Sequence, residues 1–126
     1  MKFIFVLFFC ISQSFAWADE FSSYIDAASN SKLGMNSRWS SLIKAADFAN
    51  VDQLNQIRSF SSSKDWYMRN ASLLALHKMN PVEAVTEAKK LLQDKALVVR
   101  SAAVEVVAQN LTDEHKKILA LEMYKH

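Results

Sequence analysis

Residues 66–77 read WYMRNASLLALH and residues 97–108 read LVVRSAAVEVVA. Laid over one another they place Arg69 on Arg100, Leu73 on Val104 and Leu76 on Val107, 31 residues apart. One step further back, residues 35–46 read MNSRWSSLIKAA and bring Arg38, Leu42 and Ala45 into the same columns. Met35, Trp66 and Leu97 share the opening column. Between the first two copies the match continues without a gap, with Val51 on Val82, Leu54 on Val85, Ile57 on Ala88 and Phe60 on Leu91. A fixed period of this length is the sequence signature of a stacked array, in which one unit cannot bury its apolar face alone.

Each unit reads as two helices. In the middle unit the first runs from about Asp65 to Lys78, with Trp66, Arg69, Leu73 and Leu76 at steps of three and four residues on one helical face. Asn80-Pro81 breaks the chain and restarts it: Asn80 can accept from the free N–H groups of the next helix, Pro81 suits its first position, and Glu83 stands three residues after the cap. The second helix runs to about Gln93, with Val82, Val85, Ala88, Leu91 and Leu92 as its apolar stripe and Glu83, Glu87, Lys89 and Lys90 on the wet side. The first unit repeats the pattern over Ser37 to Asn50 and Val51 to Phe60. The third has Lys95 to Gln109 and Thr112 to Tyr124, with Thr112 as cap, a longer internal loop, and His115, Ile118, Leu121 and Tyr124 as the stripe. Ser59 to Ser63 reads as the loop between the first two units. Ahead of the array, residues 19–34 read as a short capping helix, Asp19 to Ser29, and a linker holding the only glycine, Gly34.

The runs Leu92-Gln93-Asp94, Leu97 to Ala103 and Val106-Val107, with a second copy at Trp66 to Ala71 and Leu73 to Leu76, resemble the short HEAT-like repeat of the phycobilisome-lyase type. The resemblance spans about Met35 to Tyr124, with a degenerate first copy at Ser37-Arg38-Trp39-Ser40. It implies an all-α fold, a short α-solenoid of about three two-helix repeats over residues 35–126. It also implies that Arg38, Arg69 and Arg100 each stitch a helix start to its neighbour. One departure stands out. The Asp six residues before the Arg occurs only as Asp94, and its counterparts are Ser63 and Lys32, which leaves a continuous Asp–Arg ladder unsupported.

Outside the array, Lys2, the apolar run Phe3 to Ile11 and the small residues Ala16 and Ala18 follow the three-part secretory signal pattern, with cleavage after Ala18. Nine helical residues rise about 14 Å, against a hydrocarbon core of about 30 Å, so residues 1–18 read as a signal peptide and not a membrane span. The expected location is exported, periplasmic or secreted. Cys10 is the only cysteine, so cleavage leaves no disulfide, no thiolate metal site and no cysteine nucleophile. The chain has 15 Lys and Arg against 13 Asp and Glu, a near balance that argues against a dominant nucleic-acid or anionic-membrane function. One Gly and one Pro speak against a turn-rich β fold and exclude a glycine loop that cradles phosphate.

Catalytic readings find little support. His77, His115 and His126 lie far apart, and His77-Lys78 and His115-Lys116 do not match the repeated His-Glu pairs of HEAT-like iron hydroxylases. No Gly-x-Ser-x-Gly elbow surrounds any serine. The expectation is therefore no enzyme, no cofactor and no metal. Trp66, in a column with Met35 and Leu97, reads as core. Tyr67, aligned with Asn36 and Val98, reads as exposed and suited to a contact. With Arg58, Glu87, Lys89 and Lys90 of the second-helix face it makes up the candidate partner-binding set. The expected function is an exported scaffold that binds a protein or peptide. The alternatives are a self-associating envelope subunit, for which Ile118, Leu119 and Leu121 would supply apolar surface, and the front part of a longer array.

Overall fold

The computed structural model describes residues 17–110 and 113–124. Residues 1–16, most of the expected signal peptide, lie outside that description, as do the expected cap Thr112 and His126. The described chain is all helical. Helix α1 covers 17–29. It is followed by α2 (Met35–Ala45), α3 (Leu54–Ser59), α4 (Trp66–Met79), α5 (Pro81–Leu91), α6 (Leu97–Gln109) and α7 (Asp113–Tyr124). Helix α3 is flanked by 3-10 turns at Val51–Gln53 and Phe60–Ser62. No helix among the described residues is long and apolar enough to cross a membrane.

Local chemistry sets most boundaries. Asn80 caps α5 through its side-chain oxygen, which accepts from the N–H groups of Val82 and Glu83 at 3.2 Å each, and Pro81 follows in the first turn. Glu83 does not close the cap, because its carboxylate pairs with Arg58. Asn50 caps the Val51–Gln53 turn in a full capping box with Gln53. The second helix of the first unit is thus broken into a 3-10 turn, one α segment and another 3-10 turn, where the sequence suggested one helix to Phe60. The first helix of that unit begins at Met35, two residues ahead of the expected start at Ser37.

Helix α4 is the centre of the molecule and packs against α2, α3, α5 and α6. Met68, Ala71, Leu73, Ala75 and Leu76 are all buried, together with Arg69, Asn70 and Ser72. A helix covered on nearly every side carries no single apolar stripe, so the one-face reading captured only part of its contacts. Ser72 is buried without loss because its hydroxyl donates to the carbonyl of Ile57 in α3 at 2.7 Å. Helix α1 joins the same core and is tied to α2 by the Arg38 bond to the Ala28 carbonyl. Phe21 and Ala28 are buried, and the Tyr24 ring stacks on Phe48, 5.6 Å between centroids.

The column Ala45, Leu76, Val107 is buried throughout, and so are Leu42 and Leu73 of the neighbouring column. Val104, their third member, is half-buried. The expected core column Met35, Trp66, Leu97 is not core: the three residues are 46 %, 40 % and 67 % exposed. Each is the first residue of its helix. The stripe of α5 is also rotated from the expected one. Ala84, Glu87, Ala88 and Leu91 are buried, whereas Val82 is 76 % exposed. Ile118 and Leu121 of α7 are exposed.

Leu73→Ala should cost about 2–5 kcal/mol, the range for emptying a fully buried leucine site. Val104→Ala should cost less than Leu73→Ala because its site is partly open. Urea denaturation of the two variants checks the order.

Candidate functional site

Two of the three repeated arginines, Arg38 and Arg69, tie several segments of the fold together. Arg38, in the first turn of α2, donates from Nε to the carbonyl of Ala28 at 2.9 Å. Its Nη1 donates to Asp65 Oδ2 at 3.2 Å and to Tyr67 Oη at 3.0 Å. The same guanidinium lies 5.7 Å from the Tyr67 ring centre, and Tyr67 meets Trp66 edge to face. Arg69, one period on, grips both oxygens of Asp94 from Nε and Nη2 at 2.7 and 2.8 Å. Its Nη1 donates to the carbonyls of Ser63 and Lys64. Arg100 donates to the carbonyl of Asp94 at 2.7 Å. Arg69 and Arg100 therefore each hold the carbonyl six residues upstream. Arg38 and Arg69 each reach a carboxylate at the start of the next first helix.

The forked pair of Arg69 and Asp94 is the strong member, with both side chains 7 % exposed. The hydrogen bond to Asp94 raises the Arg69 pKa against the opposing effect of desolvation. The Asp94 carboxyl is held below its ordinary range by Arg69, with desolvation opposing and the Ala96 N–H assisting. One sequence inference is revised here. Asp65, four residues before Arg69 and so outside the expected column, serves as the partner of Arg38. A search for any acid near a helix start, instead of one fixed offset, would have found it.

A further bond joins equivalent positions directly. Trp39 Nε1 donates to Asn70 Oδ1 at 2.9 Å across 31 residues. At the other end of the same two helices, Lys78 pairs with Asp47 at 2.7 Å. Asn70 heads a glycan acceptor pattern, but it is buried and engaged by Trp39.

Of the expected partner-binding residues, three form one cluster between α3 and α5. Glu87 is buried. It accepts from Ser61 Oγ at 2.8 Å and from Lys90 at 3.4 Å, and stands 3.9 Å from Arg58. Arg58 also pairs with Glu83 and donates to Asn55. Arg58 and Glu87 thus serve as internal ties, which corrects the placement of Glu87 on the wet side. Tyr67 is half-buried and accepts from Arg38, on a different side of the chain's connectivity from that cluster. Lys89 and Lys90 are exposed. The residues that sequence reasoning missed are the exposed helix starts Met35, Trp66 and Leu97. Their place at the helix start, next to the connecting turn, was the available signal.

Among the described residues, no three His, Cys, Asp or Glu side chains converge as metal ligands. The Nε and Nη1 of Arg38 and all three nitrogens of the Arg69 guanidinium are directed at internal acceptors, which makes these arginines structural ties. No family model, curated protein or solved structure matches the chain.

Arg69→Ala strands a buried carboxylate and should cost about 3–5 kcal/mol. Arg100→Ala removes one charge-assisted bond and should cost about 1.5–3 kcal/mol, and Lys89→Ala should stay within about 0.5 kcal/mol. Urea midpoints give the order, and a Lys89 cost above that of Arg100 would contradict the assignment. Because the folded Asp94 pKa is lowered, its contribution is present above the unfolded aspartate value of about 3.9 and is lost as pH falls through the lower folded value. The drop in stability between pH 6 and pH 3 should therefore be steeper in the natural chain than in Asp94→Asn. Parallel pH profiles would contradict it.

Proposed function

We propose that this chain is a short exported array of HEAT-like helical hairpins that acts as a scaffold for a protein or peptide and performs no catalysis itself. The observation that carries the reading is the Trp39–Asn70 hydrogen bond, which joins two side chains one sequence period apart. A contact between equivalent positions is what stacked repeats require, and the arginine ties at Asp65 and Asp94 support the same register. In such an array the first helices form the inner contact. The second helices are held to it by fewer ties and leave a face open to a partner. On this face Lys89 and Lys90, in the last turn of α5, are the accessible charged residues, with Lys90 braced by Glu87, which Arg58 of α3 approaches in turn. Export rests on the sequence of residues 1–18 alone.

Self-association is the second reading, favoured by one observation: Ile118 and Leu121 stand exposed on α7. Light scattering over a concentration series separates the two, since a self-associating subunit gains mass with concentration and a monomeric scaffold does not.

The scaffold reading is tested by affinity capture from the native envelope fraction, with the natural chain and a Lys89→Glu/Lys90→Glu variant as baits. A protein retained by the first and lost by the second, at unchanged melting temperature, is the expected result. Equal retention by both would remove this face from the account.

A further inference from the structure

Beyond the scaffold reading, the exposed starts of α2, α4 and α6 form a feature of their own. The arginine ties fix where these starts lie. Arg38, four residues into α2, touches Asp65 and Tyr67 at the start of α4, and Arg69, four residues into α4, grips Asp94 just ahead of α6. The three helices therefore begin along one edge. Side-by-side helices sit about 8–10 Å apart, so the edge is about 20 Å long.

Two kinds of side chain line it. Met35, Trp66 and Leu97 open the three helices and are exposed. Lys32, Lys64 and Lys95, two or three residues ahead of them in the connecting turns, are exposed as well. None of the three lysines has an ion-pair partner among the described residues. The acids adjoining Lys64 and Lys95, Asp65 and Asp94, are neutralised by Arg38 and Arg69, and the acid nearest to Lys32 along the chain is the exposed Asp26 of α1, so three free lysines stand against one free carboxylate. The uncompensated charge of the edge is therefore positive. All three helices lack a side-chain cap, whereas α5 is capped by Asn80, so the positive helix ends add to the field.

We propose that this edge is a peripheral docking surface for an anionic lipid bilayer. The edge alternates lysine and apolar side chains along a line and includes a tryptophan. An interfacial segment has this make-up, with apolar groups entering the acyl boundary while ammonium groups reach the phosphates. Tryptophan is the residue type enriched at membrane–water interfaces. A bilayer surface meets all three helix starts at once. The described helices do not cross a membrane, so the contact is superficial. It leaves Lys89 and Lys90 available to a partner.

The test places a nitroxide label at the edge in the full chain with Cys10→Ser, by Leu97→Cys, and at the opposite end of the helices by Val82→Cys. Met35→Cys provides a second edge position. Power saturation is read with vesicles of phosphatidylglycerol in phosphatidylcholine and with phosphatidylcholine alone. The labels at 97 and 35 should enter lipid on the anionic vesicles only, and the label at 82 should stay in water. Lys32→Gln/Lys64→Gln/Lys95→Gln should reduce the lipid-bound population of the label at 97 by about 100-fold, at roughly fivefold per lysine near an anionic surface. Because each label reports its own depth, binding through residues 3–11 does not imitate the result. Edge labels that remain in water on anionic vesicles, or enter neutral vesicles equally well, would overturn the proposal. So would spin–spin broadening at 97 and 35 without lipid, which would mark the edge as a contact between copies.

Discussion

Arg69 carries a full charge into the interior of a small helical protein, and the arrangement around it follows from that charge being satisfied. An isolated buried guanidinium is costly, whereas a forked bond to a carboxylate and two backbone carbonyls compensates for the lost water. Asp94 supplies the carboxylate and sits just ahead of α6, while Ser63 and Lys64 supply carbonyls just ahead of α4. One side chain thus fixes the entry of two successive helices. Any slip of α6 along α4 would strand both charges, so the pair acts on register more than on net stability.

The apolar core is arranged around this constraint. With the helix starts aligned, Leu42, Leu73 and Leu76 meet their neighbours at the same depth, and α4 is enclosed by α2, α3, α5 and α6. Trp39 and Asn70 add a directional bond in the same register. The second helices are held differently. The buried Glu87 gathers Ser61, Arg58 and Lys90 into a polar tie between α3 and α5, beside the buried Ile57, Ala84, Ala88 and Leu91 that pack this layer into the core.

Much of this was legible in the sequence, for physical reasons. The helical class, the Asn80-Pro81 break and the buried columns through Leu73 and Leu76 follow from periodicity and capping, which are local. The stitching role expected of the arginines holds for Arg38 and Arg69, whereas Arg100, among the described residues, bonds only the carbonyl ahead of its own helix. Positions at helix ends were misjudged. A column of Met35, Trp66 and Leu97 looks like core on a helical wheel, but a wheel carries no information about where a neighbour stops. The same limit placed Glu87 outside: its spacing suited a wet face, and only the third-dimension partners Ser61 and Arg58 bring it in. Asp65 was missed because its offset from Arg69 differs from that of Asp94 from Arg100, although both acids reach the same kind of guanidinium.

The claim that an arginine tie joins one hairpin to the next is tested most directly by a double-mutant cycle on Arg69→Ala and Asp94→Ala, read by urea denaturation near neutral pH. The account predicts a coupling energy of about 1.5–3 kcal/mol, the upper part of the range for contacting partners. A coupling below about 0.5 kcal/mol would mean that the two charges contribute independently, and that packing alone sets the register of α4 and α6.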